Sequence, residues 1–290
     1  MKLTNEKGLH ASIAAAIAAD PYDDGGADVS VTGLIGPPRI RILAKRHKEK
    51  LVQDVSERVW ALLGQAVHSV IERANTGPST HLSEQRFHWE VSTPGGFVKL
   101  SGAVDDFDPA SGTVTDWKVT SAWTIVFGDR TEDWERQLNC YAHLLRNAGH
   151  SVNALEVVAI LRDWSAKDAR EKPDYPQIQV VTVPLKLWPA EEATRYVEAR
   201  CELHRAAEGL PDALLPLCSP EERWARPAKW AVMKPGGTRA IRLFDSHADA
   251  RAASLAMPGT VLEERKGEDV RCKGYCSARS VCSYALAKYA

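Results

Sequence analysis

The residues best equipped for chemistry stand in one run, Gly102-Ala-Val-Asp105-Asp-Phe-Asp108-Pro-Ala-Ser-Gly112-Thr-Val-Thr-Asp116-Trp-Lys118. If residues 109–112 form a four-residue hairpin loop, Asp108 faces Thr113, and counting back along both strands sets Asp105 opposite Asp116. Directly opposed side chains have Cβ atoms about 5 Å apart, where two carboxylates at an effective dielectric of ~20 repel by roughly 3 kcal/mol. A divalent cation is the natural compensation. Lys118 lies two residues beyond Asp116 and shares its side of the strand, while Trp117 points the other way, toward core. A hard cation beside a lysine is apparatus for cleaving a phosphodiester: the ion lowers the pKa of a bound water, and the ammonium steadies charge on the phosphate. By spacing alone, a surface hairpin with scattered charges is the competing reading.

A second concentration is cysteine. Six cysteines in 290 residues are too few for a disulfide scaffold and read as metal ligands or buried thiols. Cys140 and Cys201 fall inside helical patterns as small buried hydrophobes. Cys272, Cys276 and Cys282 crowd the tail, with Gly274 letting the chain fold back between them, and Cys218 stands upstream.

Periodicity indicates the elements that must carry these groups. Apolar residues at three- and four-residue intervals, from Val52 to Ile71, predict one long amphipathic helix over 51–74, ended by Gly77-Pro78. It follows a basic stretch of Arg39, Arg41, Lys45, Arg46, Lys48 and Lys50, either a solvated helix face or a phosphate-facing surface. Strands are predicted at 86–91 and 97–107 around a Pro94-Gly95-Gly96 turn, and at 113–119. A helix carrying Trp134, Leu138, Tyr141, Leu144 and Leu145 on one face comes next. Strands at 155–161 and 178–183 and a helix at 189–208 complete an α/β core with a mixed sheet. A hairpin at 230–244, a helix at 246–257 and a strand at 261–264 form a small α/β insert between Cys218 and Cys272. The expected division is a core of residues 1–210 and a tail of 211–290.

Composition narrows the function. Lys and Arg number 37 against 38 Asp and Glu, for a net charge of -1, so a nucleic-acid partner must be held by a local patch or a metal. No apolar run approaches a membrane span, and the expected location is the cytoplasm. P-loop, dinucleotide, zincin and serine-hydrolase signatures are all missing from the sequence.

The run from Gly102 to Lys118 resembles the central motifs of the PD-(D/E)XK nuclease superfamily, and in particular its RecB-like branch. Gly64-Gln-Ala-Val-His68 resembles that branch's helical histidine, and Gln137-Leu-Asn-Cys-Tyr141 its Gln-x-x-x-Tyr helix. The sequence departs from the pattern at Val104, where the superfamily's proline stands, and at Val119-Thr120, where a threonine usually follows the lysine directly. The resemblance implies a restriction-endonuclease-like core. It implies Mg²⁺ or Mn²⁺ held by His68, Asp105, Asp116 and the Trp117 carbonyl, with Lys118 as the catalytic ammonium and Gln137 and Tyr141 orienting Lys118 or a phosphate. Glu84 is expected to face solvent rather than assist. RecB-like relatives, phage and CRISPR-associated exonucleases among them, carry an iron-sulfur cluster on one distant cysteine and a C-terminal triplet. By that likeness Cys218, Cys272, Cys276 and Cys282 would hold a 4Fe-4S cluster, with zinc as the alternative. The fourth ligand departs from pattern, because the relatives take it from before the nuclease motifs.

The expected function is therefore a metal-dependent DNA exonuclease acting on single-stranded ends, in phage or prokaryotic recombination, supplied with opened DNA by a helicase or recombination partner. The competing class is a non-catalytic nucleic-acid-binding or scaffold protein stabilised by zinc or an iron-sulfur site.

Overall fold

The computed structural model describes residues 1–20, 25–74 and 81–289; the expected stop at Gly77-Pro78 lies outside the described residues. In chain order, its first elements are β1 (Lys2–Thr4), α1 (Ala11–Ala18), β2 (Val29–Ser30), α2 (Val31–Ile35), α3 (Pro38–Arg46), β3 (Val52–Asp54) and α4 (Val59–Ala74). Then come β4 (Leu82–Thr93), β5 (Gly96–Asp108), β6 (Thr113–Thr120), α5 (Ala122–Phe127), α6 (Thr131–Asn147), β7 (Ala154–Leu161), α7 (Ala166–Glu171), β8 (Val180–Leu185) and α8 (Ala190–Glu208). The chain divides into two units, Met1–Pro38 with Val52–Leu210, and Arg39–Leu51 with Pro211–Ala290. The basic stretch thus belongs with the tail, where a core of 1–210 had been expected to include it.

The first unit is a mixed α/β structure. Its six-stranded sheet runs β2-β5-β6-β7-β8, with β4 also paired to β5. β5 is antiparallel to β4 and β6, β6 is parallel to β7, and β7 is antiparallel to β8. β5 is the spine. Its Leu100, Val104 and Phe107 are fully buried, together with Val114 of β6, Leu138, Leu144 and Leu145 of α6, and Val157 of β7. Each such side chain contributes about 1.5–3 kcal/mol on leaving water, which fixes α6 against the sheet.

The helix expected over 51–74 is shorter than the periodicity suggested. Residues 52–54 pair in parallel with Lys2–Thr4 as β3, a 3₁₀ turn follows at Val55–Arg58, and only then does α4 begin. The Asp54 side chain accepts from Ser56 N–H at the start of that turn and stops an α-helix from running through it. Val52, Val55 and Val59 match a helical period by coincidence, since β-branched residues suit a strand as well.

The second unit contains β9 (Ala225–Arg226), β10 (Lys229–Met233), β11 (Ala240–Phe244), α9 (His247–Leu255), β12 (Val261–Arg265), β13 (Glu268–Asp269) and α10 (Ser283–Tyr289). β10 is the centre of a three-stranded antiparallel sheet flanked by β11 and β12. α9 packs against β10. Among the described residues, no helix is long and apolar enough to cross a membrane.

Candidate active site

The site is built across three adjacent strands. The β5–β6 hairpin closes on residues 109–112 with Gly112 N–H donating to the Asp108 carbonyl at 2.8 Å. Its register pairs Asp108 with Thr113 and Asp106 with Thr115, which sets Asp105 opposite Asp116. On the other edge of β5, Ser83 pairs with Asp106 and Gln85 with Val104, so Glu84 stands opposite Asp105. Three acids therefore form a row across β4, β5 and β6.

Glu84 takes a left-handed backbone, φ 51°, which is uncommon for a residue with a side chain. Its carboxylate accepts from His68 Nδ1 at 3.0 Å. The expectation that Glu84 faces solvent is thereby corrected: it is half-buried and turned into the site. The signal was available, because counting outward from the Pro94-Gly95-Gly96 turn places it in line with Asp105.

His68 comes from α4, whose inner face is Gly64, Val67, His68 and Ile71, an i, i+3, i+4, i+7 stripe. Its Nε2 donates to the Trp117 carbonyl at 3.0 Å, and its Nδ1 also lies 3.7 Å from Asp105 Oδ2. The Trp117 N–H donates to the same Asp105 oxygen at 2.9 Å. One ligand atom each from His68, Glu84 and Asp105 lies within 4.8 Å of the other two. Asp116 is not in that trio; it is 1% exposed and turned toward Lys118 and Gln137.

Lys118 Nζ lies 2.6 Å from Asp116 Oδ2. The ammonium is the ion-pair partner of this buried oxygen, which among the described residues takes no other donor. Gln137 Nε2 on α6 donates to Asp116 Oδ1 at 3.0 Å and to Tyr141 Oη at 3.0 Å. Gln137 and Tyr141 thus meet as an i, i+4 pair, and what they orient is Asp116. Gly102 permits this: a Cβ there would sit 2.8 Å from Tyr141 Cε1 and 2.9 Å from Leu144 Cδ1, so only glycine lets α6 lie this close to β5.

The electrostatics report surplus negative charge. Burial and the neighbouring Asp116 charge push Asp105 up to about 7, although His68 and Lys118 oppose them. The hydrogen bond to Glu84, working against burial, raises His68 to about 9. Burial alone would lower Lys118, but the Asp116 and Asp105 charges outweigh it and the pKa rises. Burial and the same two acids hold Tyr141 well above its ordinary value, as a neutral phenol. An acid forced up to neutrality beside a second, fully buried carboxylate is what a site shaped for a divalent cation looks like without its charge. The donor set, carboxylates with one imidazole and a carbonyl, suits Mg²⁺ or Mn²⁺.

In the second unit, Cys218, Cys272, Cys276 and Cys282 line one small cavity, part of it open to solvent. None of the four is in a disulfide. Arg39, 3% exposed, reaches this cavity from the basic stretch: its Nε donates to Cys282 Sγ at 3.3 Å, its other nitrogens to the Leu215 carbonyl and to Ser283 Oγ. Neither a solvated face nor a phosphate-facing one describes Arg39. Burial pushes Cys218 up to about 12 and also raises Cys272 and Cys276. It acts on Cys282 too, but there the Arg39 hydrogen bond prevails and the pKa falls. Cys140 and Cys201 are fully buried in α6 and α8.

The chain matches the family model of the PD-(D/E)XK nuclease superfamily over residues 41–283. A solved structure titled "Crystal structure of SSO0001" is similar at 18% identity, covering 67% of this chain and 86% of that one with a TM-score of 0.44. No curated protein matches.

Proposed function

Because the chain belongs to the PD-(D/E)XK nuclease superfamily, whose members are metal-dependent nucleases, we propose that it is a RecB-like deoxyribonuclease that shortens DNA from single-stranded ends. The observation that carries this is Asp116: fully buried, held on Oδ1 by Gln137 and faced on Oδ2 by the Lys118 ammonium at 2.6 Å, beside a second buried acid, Asp105.

His68, Asp105, Asp116 and the Trp117 carbonyl would hold Mg²⁺ or Mn²⁺, and the geometry adds Glu84 to that set. Bound there, the ion supplies a water of lowered pKa and polarises a phosphoryl oxygen. Lys118, its pKa raised by the acids, stays an ammonium and steadies charge on the phosphate rather than taking a proton. Gln137 keeps Asp116 aimed, and the Tyr141 phenol keeps Gln137 in place.

The cysteine cavity supports a 4Fe-4S cluster on Cys218, Cys272, Cys276 and Cys282 over a zinc ion. The sequence spacing of three and then five intervening residues is looser than the Cys-x-x-Cys knuckle that zinc usually takes and favours the larger group. The cluster's role would be structural, tying α3 to the C-terminal tail. The setting we favour is prokaryotic or phage DNA recombination, with ends opened by a helicase partner.

End-labelled linear DNA and closed circular DNA, incubated with Mn²⁺, test the reading. Linear substrate is shortened, circles survive, and both Asp116→Ala and Lys118→Ala abolish cleavage while melting like wild type. Unaltered cleavage by the two variants removes the catalytic assignment, and cut circles make the enzyme an endonuclease.

A further inference from the structure

Beyond the acids and the lysine, the first unit exposes large aromatic rings, of which Trp123 also packs edge-on against the buried Tyr175 at 5.6 Å. Trp60 is 60% exposed, Trp123 39% and Phe127 72%. Trp123 and Phe127, four apart on α5, stack with centroids 5.8 Å apart and planes 22° from parallel. Cations stand over the rings: Arg162 is 4.6 Å from the Trp60 centroid, and Lys172 is 4.9 Å from that of Trp123.

These rings issue from one corner, the one the catalytic strand points into. β6 carries Asp116 and Lys118 and ends at Thr120, about 7 Å beyond the lysine at a strand's rise. The Thr120 hydroxyl donates to Thr124 of α5 at 3.2 Å, which ties α5 to the face bearing Lys118. Arg162 N–H donates to the Thr120 carbonyl, and the next residue, Asp163, caps α5 through Ser121 Oγ at 2.6 Å and Ala122 N–H at 2.7 Å. Trp60 stands on α4, eight residues before His68, so about 12 Å along the same helix.

We propose that Trp60 with Arg162, and Trp123 with Phe127, form a stacking platform for the bases of single-stranded DNA entering the site. Flat exposed rings interleaved with cations are what a single strand needs, because unpaired bases offer free faces while a duplex keeps its bases stacked inside. Arg162 complements the phosphates that a protein partner would lack, whereas the Lys172 ammonium is already paired with Asp168 at 2.6 Å. This platform gives the nuclease reading, on which it rests, a physical basis for its preference among ends.

Fluorescence anisotropy of a labelled oligo-dT, in EDTA so that no cleavage intervenes, tests it alongside a blunt duplex of equal length. Wild type binds the single strand more tightly and its tryptophan emission is quenched. Trp60→Ala or Phe127→Ala weakens single-strand binding about tenfold, and the double variant about a hundredfold, with duplex affinity moved far less and melting temperature preserved. Unchanged single-strand affinity, equal loss for duplex and single strand, or a change of oligomeric state in the variants each overturns the platform. Nuclease activity with unaltered oligo-dT binding would sink the platform alone; ring-dependent binding with no cleavage in Mn²⁺ would sink the nuclease reading alone.

Discussion

His68 and Glu84 hold each other at 3.0 Å, and the second ring nitrogen of His68 donates to the Trp117 carbonyl, also at 3.0 Å. Both nitrogens face acceptors, so both carry hydrogen and the ring is an imidazolium, in keeping with a pKa raised to about 9. A metal ligand must first lose that proton. Mn²⁺ affinity is therefore expected to climb as pH rises from 6.5 toward 9. Glu84→Gln should weaken Mn²⁺ binding about 10- to 100-fold, the usual cost of a lost partner at a metal site. Calorimetric titration at two pH values checks both; an affinity indifferent to pH and to Glu84 places the ion elsewhere.

Gly102→Ala brings a methyl group to 2.8 Å from Tyr141 Cε1 and 2.9 Å from Leu144 Cδ1, so these side chains must shift. Overpacking of this kind costs about 1–3 kcal/mol. The urea midpoint should fall accordingly, and activity should fall further than stability because Gln137 loses its support. A variant as stable and active as wild type would show that α6 retreats freely from β5.

Arg39 is a buried cation that, among the described residues, pairs with no carboxylate; its partners are a thiol, a carbonyl and a hydroxyl. Thiolates gathered on a metal supply the missing negative charge. Arg39→Met should leave anaerobically purified protein with less iron and sulfide per chain and faster bleaching by a chelator, and Arg39→Lys should restore part of it. Metal content equal to wild type in Arg39→Met would mean that the guanidinium serves packing alone.

Asp269, buried at the centre of the tail, accepts from Arg223, Tyr284 and Lys288 at 3.1, 2.7 and 2.7 Å. Burial would raise its pKa, but these bonds prevail and hold it at about 2 instead of 3.8. A depressed acid lends stability that is complete above its unfolded pKa and vanishes as pH falls through the folded one. The contribution is about 2 kcal/mol, present above pH 4 and gone near pH 2. Acid titration of tryptophan fluorescence should show that loss in wild type and not in Asp269→Asn; parallel curves would assign acid unfolding to other groups.

Much of the site was legible because hairpins translate sequence spacing into spatial spacing. The four-residue loop after Asp108 fixes the register of β5 against β6, so Asp105 and Asp116 could be paired by counting. The same counting from Gly96 reaches Glu84, whose inward turn was missed because its backbone leaves the strand conformation there. The helix over 51–74 failed for the opposite reason: pairing of β3 with Lys2–Thr4 is a contact across some fifty residues, and local periodicity cannot see it.

The sequence by itself determined the strand order around the acids, the helix that carries Gln137 and Tyr141, and the cysteines available to gather a metal, since all of these follow from period, turn chemistry and spacing. Only the tertiary structure decided that Glu84 joins His68, that Asp116 is buried between Gln137 and Lys118, and that Arg39 leaves its charged neighbours to reach Cys282. Those facts depend on which distant surfaces exclude water from one another, and burial of that kind is a property of the packed chain, not of any segment within it.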